Sequence, residues 1–558
     1  MNFRPFIIHS AIFSFLLRSI KDVFFLFLFP YGFTKSKPSS LFLLPLFCFS
    51  FAQWPEEPNE HLVLPNTIHS DNYFSAIINT NGEINLIFNY YQSPIGSNYE
   101  KCHYNKLNNI GEFQFGEHIP IDGIHFLSES QKIVNSNNNT NIIAFWDYQP
   151  EYTVIPNTWD AGPVRLQKID NSGNFLWENI GIPIGMSSAT HYLKGMVKDN
   201  QGGVIVSFIQ RESYFGDQFY MLQHFNSNGY RQYGLNGINI DGPIASNAHL
   251  LMVENEEYFH QFNFGSHSKI EKRNLNGEII WEQIFNFRMG ELIYHNNFLY
   301  FVHFIPIIDN ETTDDFQLFL NKIDELGNHY WGEDGILLDD VKANYNYSFP
   351  LHYISINGDN SISFSWEDNI ENGEIISNIN FQIIEEYGNL LFDNPILINA
   401  ENNQNKFKGM IKSINQNIFV WYEDWGNGYE LFTQKYNLMG SKIWDEDNVL
   451  LTYYNGEDLE VKVITDSRHG AIMFIPNSDS YELYAMQLSY FGNLGEIVYP
   501  GDISNDETVN VIDVLLTIEN CILSDTISEN CSISDLIQDN EYNVLDVLLI
   551  VQIILEEA

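Results

Sequence analysis

Between Gly501 and Leu555 the same fifteen-residue block occurs twice. Asp502–Leu516 reads DISNDETVNVIDVLL, and Asp535–Leu549, 33 residues further on, reads DLIQDNEYNVLDVLL, with eight of the fifteen positions identical. The shared polar residues are Asp502/Asp535, Asp506/Asp539, Asn510/Asn543 and Asp513/Asp546, at loop positions 1, 5, 9 and 12. Oxygen donors at that spacing suit Ca²⁺, a hard cation that takes about six to eight oxygens at about 2.3–2.6 Å. A short loop encloses such an ion only if an oxygen recurs about every second residue and a last carboxylate closes the shell from the start of a helix. In the first loop Asp502, Ser504 and Asp506 offer side-chain oxygens, Thr508 its carbonyl, Asn510 a direct or water-mediated contact, and Asp513 the closing carboxylate. In the second, Asp535, Asp539, the Glu541 carbonyl, Asn543 and Asp546 take the same parts, while Ile537 stands where a polar ligand belongs and predicts a weaker site. Position 6, where a sharp turn favours Gly, is Glu507 in one loop and Asn540 in the other. Asn tolerates a left-handed backbone and Glu does so poorly.

Residues 501–558 contain thirteen Asp or Glu and no Lys or Arg. An acidic tail is often a solvated, unfolded end. Here the duplication and the apolar runs after each loop, Val511–Ile522 and Val544–Leu555, predict two helices that pack once the loops are neutralised. The paired N-V-[IL]-D-V-L-L runs and their Asp/Asp/Asn/Asp ligands resemble the dockerin module, in which each of two EF-hand-type calcium loops is followed by one helix. The resemblance covers about a tenth of the chain. It implies Ca²⁺ as cofactor and a cohesin-like domain or other surface scaffold protein as partner. Many dockerins are attached to polysaccharide-degrading enzymes, so it also implies a polysaccharide as possible ligand. Val511-Ile512 and Val544-Leu545 depart from the pattern, since cellulosomal dockerins often carry small hydroxyl residues there.

The rest of the chain must hold this module out. Residues 60–498 repeat one pattern eight times: a hydrophobic run, a turn, a second run such as 83–91, 203–210 or 417–424, then a third run ending in a turn glycine. Those glycines are Gly111, Gly173, Gly229, Gly277, Gly327, Gly388, Gly440 and Gly492, and Trp177, Trp281, Trp331 and Trp444 each follow theirs by four. Runs of β-branched and aromatic residues bounded by N-G, D-N and S-G turns are strand signals. About fifty residues and four strands per repeat mark a β-propeller blade. The expectation is a mainly β chain: an eight-bladed propeller over about Asp71–Pro500, with seven blades as the alternative and a parallel β-helix a weaker one. A small C-terminal all-α calcium-binding domain follows. The boundaries are 1–52 for a targeting region, 53–498 for the propeller and 499–558 for the dockerin-like domain. The run Leu166–Trp177, echoed at Thr433–Trp444, resembles WD-repeat-like secreted bacterial propellers, a likeness of architecture that does not imply function.

No side chain outside the loops declares a reaction. Trp146-Asp147, Asp424-Trp425 and Trp366-Glu367-Asp368 could line a sugar-binding face, but their recurrence in register fits Trp packed between blades and Asp closing a turn. Two stretches break the repeat: Tyr148–Trp159, and the insert Ile308–Asp315, whose Asp309, Glu311, Asp314 and Asp315 form either a solvated loop or a further Ca²⁺ site. Glycoside hydrolysis needs two carboxylates about 5–10 Å apart, and 72 acids allow no choice of pair. No H-E-x-x-H, G-x-S-x-G, P-loop or dinucleotide-binding glycine pattern occurs. A glycoside hydrolase or other polysaccharide-degrading activity therefore stays an implication of the resemblance, and the catalytic residues are unassigned.

The formal charge of −45 argues against nucleic acid, which needs clustered Lys and Arg. It fits a salty, Ca²⁺-containing exterior. Leu41–Ala52 is an apolar run of twelve after Lys35 and Lys37, ending in small residues at 50 and 52, as a signal peptide of about 35–52 would. It is too short to span a bilayer. The earlier run 5–33, broken by Arg18, Lys21 and Asp22, reads as sequence upstream of the true start, or as a poor membrane segment. The expectation is a secreted or bacterial cell-surface protein whose mature chain lacks a stable transmembrane anchor. Cys521 and Cys531, between the loops, are either bridged in an oxidising exterior or two separate thiols.

Overall fold

The turns dictate the geometry of residues 60–498. At all eight turn glycines φ lies between +77° and +92°, where any Cβ is strained. A side chain three residues earlier holds the turn. Asn226 Oδ1 accepts the N–H groups of Asn228 and Tyr230 at 3.0 Å each, while Gly229 N–H donates to the Asn226 carbonyl at 2.9 Å. The same side-chain bonds recur at Asn108, Asp170, Asn274, Asp324 and Asn437. Short polar side chains that bond the backbone two and four residues on are what such turns select.

The computed structural model describes residues 54–557 apart from short segments, the longer of which are 65–73, 92–99, 122–130, 148–162, 241–247, 308–314, 343–350, 399–403 and 455–460. Each turn follows the third strand of one of eight four-stranded antiparallel sheets, and in seven of them leads into the fourth, so the chain is an eight-bladed β-propeller. Blades 1 to 7 are consecutive meanders over 74–120, 132–183, 190–240, 248–285, 288–342, 352–397 and 404–454. Blade 8 takes three strands from 462–488. Its fourth is Leu62–Leu64, from the other end of the ring, with Leu62 opposite Ala485 and Leu64 opposite Leu483. The ring thus begins before the expected Asp71. Neither the seven-bladed nor the β-helical alternative holds.

The first strand of every blade touches the first strands of both neighbours, and contact between Lys462–Thr465 and Phe74–Ile78 completes the circle. First strands therefore surround the axis. Eight hydrophobic clusters of buried residues fill the gaps, one at each blade–blade interface. An aromatic ring four residues after each turn glycine packs on the turn glycine of the next blade. Trp177 meets Gly229, Trp281 meets Gly327, Trp331 meets Gly388 and Trp444 meets Gly492. Phe115, Tyr233 and Phe392 do the same at Gly173, Gly277 and Gly440. The position after Gly492 holds Glu496, and Trp54 supplies the missing ring, packing on Gly111. The indole N–H groups of Trp54, Trp177 and Trp444 donate to the carbonyls of Asn109, Ser227 and Tyr490, each two residues before the glycine they cover.

Beyond the propeller, α1 (Val511–Thr517) runs on as one wider π turn over Ile518–Ile522, and α2 spans Val544–Glu557. A 3₁₀ turn, Glu529–Ser534, lies between them. Cys521 and Cys531 form a disulfide with a Cα–Cα distance of 5.6 Å. From Trp54 onward the chain is one compact unit.

Candidate functional site

The two acidic loops share most of their hydrogen bonds. The Asp502 carboxylate accepts the N–H groups of Asp506 and Glu507 at 3.2 and 2.8 Å; Asp535 accepts those of Asp539 and Asn540 at 3.2 and 2.9 Å. The Asp513 carboxylate accepts from Ser504 and Asn510 at 2.9 and 2.8 Å; Asp546 accepts from Ile537 and Asn543 at 3.1 and 3.0 Å. Asp506 and Asp539 accept from the N–H groups of Thr508 and Glu541. The backbone turns left-handed at the same two positions in both, at Asn505 and Glu507 (φ 58° and 64°) and at Gln538 and Asn540 (φ 62° and 64°). Glu507 thus adopts the conformation to which it is poorly suited, and the turn at loop position 4 was not expected.

Helix capping explains the last two shared residues. Asn510 Oδ1 accepts the N–H of Ile512, and Asp513 reaches back to the N–H of Asn510, a capping box that starts α1. Asn543 Oδ1 accepts the N–H of Leu545 at the start of α2. Capping does not require Asp502 and Asp535, which lie eight residues before Asn510 and Asn543 and are only 3% and 8% exposed. Asp513 and Asp546 are fully buried. Burial pushes the Asp535 and Asp546 carboxyls above the usual range, and the proximity of Asp535, Asp539 and Asp546 to one another adds to the shift. With no Lys or Arg in 501–558, the segment has no basic side chain of its own to offset these groups. Buried carboxylates without a cation are costly.

The remaining predicted ligands lie at the rim. Ser504 donates its hydroxyl to Asp502 at 3.1 Å, a bond that Ile537 cannot repeat. Thr508 donates its hydroxyl to Asp506 at 2.6 Å, and the Glu541 carbonyl accepts from Asn543 Nδ2 at 3.4 Å. Among the described residues no three His, Cys, Asp or Glu side chains converge as a metal-binding group. The donor set itself, two buried carboxylates per loop with amide oxygens beside them and Ser and Thr hydroxyls in the first loop alone, has the chemistry Ca²⁺ takes.

The seat of these loops was not read from the sequence. Tyr490, in the last turn of the propeller, donates its hydroxyl to the Leu536 carbonyl inside the second loop at 2.7 Å. Gln538 Nε2 donates to the Tyr490 carbonyl at 3.3 Å, and Asn415 donates through Nδ2 to Gln552 Oε1 of α2 at 2.6 Å. Ile414, Tyr490, Leu536, Ile550 and Ile553 share one buried cluster. The opposite sides of the helices stay bare: Val511, Ile512 and Leu515 are 64%, 56% and 60% exposed, and their counterparts Val544, Leu545 and Leu548 are 65%, 52% and 58% exposed.

Two of the candidate sugar-binding Trp residues are structural. Trp146 and Trp366 are buried in inter-blade clusters, and Asp147 forms a buried ion pair with Arg165. Trp425, Tyr148–Trp159 and the acidic insert at 308–314 lie outside the described residues, as does the targeting region 1–52. No described helix is long and apolar enough to cross a membrane.

No family model and no curated protein sequence matches the chain. Among solved structures it is similar to a protein of unknown function from Dyadobacter fermentans, at 11% identity and a TM-score of 0.32 over 59% of this chain and 98% of that one. It is similar to prolyl oligopeptidase B from Galerina marginata at 9% identity and a TM-score of 0.38, over 73% of this chain and 56% of that one. The periplasmic gluconolactonase of Pseudomonas aeruginosa aligns at 9% identity and a TM-score of 0.36, over 67% of this chain and 96% of that one.

Proposed function

We propose that this is a secreted or cell-surface protein in which a calcium-dependent module, 499–558, docks onto a cohesin-like domain and carries a propeller, 53–498, that acts as a binding domain. What supports the reading most is that the 33-residue repeat persists in individual hydrogen bonds, around carboxylates buried without a basic partner in their segment. Asp502, Ser504, Asp506, Asn510 and Asp513, with the Thr508 carbonyl, would hold one Ca²⁺; Asp535, Asp539, Asn543 and Asp546, with the Glu541 carbonyl, would hold the other. The ion supplies the positive charge that offsets those carboxylates. Asn510 and Asn543 start the helices, which present Val511, Ile512 and Leu515 on one side and Val544, Leu545 and Leu548 on the other. Two matched exposed apolar patches of this kind suit a protein partner.

The test is a calorimetric Ca²⁺ titration of the full chain, followed by gel filtration with a panel of cohesin domains in Ca²⁺ or in EGTA. One tighter site, one weaker site and a Ca²⁺-dependent complex are expected. The Asp513→Ala, Asp546→Ala double variant should lose both. Absence of Ca²⁺ uptake by the folded wild-type chain would sink the proposal.

A further inference from the structure

The strands around the axis invert the charge of the chain. Over the whole sequence 72 Asp and Glu face 27 Lys and Arg. The eight first strands hold eight Lys or Arg and a single acid, Glu291. Two of these strands share a motif that no other repeats: Leu193-Lys194-Gly195-Met196-Val197-Lys198 in blade 3 and Phe407-Lys408-Gly409-Met410-Ile411-Lys412 in blade 7. In a ring of eight, blades 3 and 7 stand opposite each other.

The motif marks a bulge. Pairing with the second strand skips from Leu193 to Gly195 and from Phe407 to Gly409, so Lys194 and Lys408 are the extra residues of their bulges. A third first strand, in blade 5, slips between Met289 and Leu292, at Gly290-Glu291. Bulges re-aim a side chain and gather beside sites. All three are at an ionisable residue on the axis. The glycines admit neighbours: a Cβ at Gly195 would lie 3.2 Å from Leu250 of blade 4, one at Gly409 3.0 Å from Val463 of blade 8, and one at Gly290 2.4 Å from the His352 ring of blade 6.

Charge links these groups around the ring. Lys132 of blade 2 donates to the Lys194 carbonyl at 3.2 Å. Burial and the Lys194 charge both lower the Lys132 pKa. His249 of blade 4 is brought down to about 4 by burial and by Lys132 and His352, on blades 2 and 6, which are not its neighbours in the ring. Neither Lys132 nor Lys194 has a carboxylate within ion-pair distance among the described residues. Lys408 differs, its ammonium lying 5.3 Å from the centre of the Tyr422 ring. Burial pushes Glu291 up to about 7, so it offers a proton as well as a lone pair near neutrality.

We propose that the axial channel binds a small carboxylate-bearing ligand, with Lys132 and Lys194 as its charge partners and His249 and Glu291 as hydrogen-bonding groups. The inference rests on the reading of the propeller as a binding domain and names the class of its ligand. Compact ammonium groups together with the neutral His249 imidazole suit a carboxylate with hydroxyl groups beside it. A phosphate would more often be gripped by Arg forks or runs of backbone N–H. Two ammonium groups on adjacent first strands, with no carboxylate within ion-pair distance among the described residues, destabilise the empty protein, as binding sites commonly do.

Calorimetry of the full chain with citrate, D-glucuronate, D-glucose and inorganic phosphate tests this. At least one carboxylate should bind one to one, with Lys132→Met and Lys194→Met each weakening it at least tenfold. The control Lys198→Met, at the exposed end of the same strand, should leave binding unchanged. Without ligand the two channel variants should melt higher than wild type, the opposite of what loss of a structural lysine does. No heat with either carboxylate, tighter binding of phosphate, or equal loss in Lys198→Met would overturn the site. D-glucose bound as well as D-glucuronate, and unaffected by Lys132→Met, would also overturn it while leaving a propeller that binds.

Discussion

The hydroxyl of Tyr490 is bonded to the carbonyl of Leu536 at 2.7 Å, so the last turn of the propeller holds the second acidic loop by its backbone. That loop has Ile537 where the first has the polar Ser504. Fixing Leu536 removes part of the ordering cost that a ligand-poor loop must otherwise meet on binding an ion.

Tyr490→Phe should therefore act on one loop alone. The lost hydrogen bond is worth about 1 kcal/mol, or roughly a fivefold weaker second Ca²⁺ site. The first site should keep its affinity. A two-site calorimetric titration of wild type and variant reads both values, and equal weakening of the two sites would contradict the coupling.

Acid should act in opposite directions on the two parts of the metal-free chain. The folded-state pKa values of Asp535 and Asp546 are raised, chiefly by burial. Such groups bind more protons folded than unfolded, so the stability they allow falls as pH rises through the folded pKa. Glu271 is the reverse: burial alone would raise it, but the His260 hydrogen bond and charge, with Lys269 and Arg273, bring it down to about 2. Its contribution is present above the unfolded value of about 4.5 and is lost as pH falls through about 2. Hydrogen exchange on metal-free protein should show residues 501–557 more protected at pH 4.5 than at pH 7. Ca²⁺ should restore their protection at pH 7. Amides around Glu271 should lose protection first on further acidification.

The turn glycines should be intolerant of a single carbon. A Cβ at Gly229 would lie 2.4 Å from Ile182 and 3.1 Å from Trp177, at a φ of +81°. The backbone conformation alone costs about 1–2 kcal/mol for an L-residue. Gly229→Ala should cost more than that in urea unfolding, and Trp177→Ala about 3–5 kcal/mol. The two changes touch one contact, so their combination should cost less than the sum.

Removing residues 54–64 should open the ring. The deletion exposes the edge of Glu482–Leu488 and the surfaces that Trp54 and Leu64 bury. A bare edge of that kind invites pairing with another chain. Light scattering on heating should show aggregation at a lower temperature than for the chain that keeps these residues.

The blades were legible because one constraint, a left-handed turn after the third strand, recurs at all eight glycines and prints their register on the sequence. The closure was not. Leu62-Val63-Leu64 is three residues long and has no turn glycine of its own, and its partners lie at the far end of the repeat. The loops were legible because duplication exposes ligand spacing, and the capping box reinforces the same Asn and Asp positions. Their seat was hidden, since nothing in the local pattern around Asn415 or Tyr490 separates a turn residue that faces water from one that faces α2 or Leu536. The Lys-Gly-Met motif of blades 3 and 7 was visible as text, but its meaning depends on which strand of each blade stands innermost.

The closing strand sets an order of events on assembly. Trp54 and Leu62–Leu64 leave the ribosome before any blade, yet their partners around Gly111 and Leu483–Ala485 include the last strand of the ring to be made. The ring cannot lock until its last strand has been made, and pairings between such distant parts of a chain form slowly. Until then the first segment waits as an unpaired latch. The acidic loops, whose second member is held by the turn that follows that last strand, find their seat only once that strand and its turn have been made.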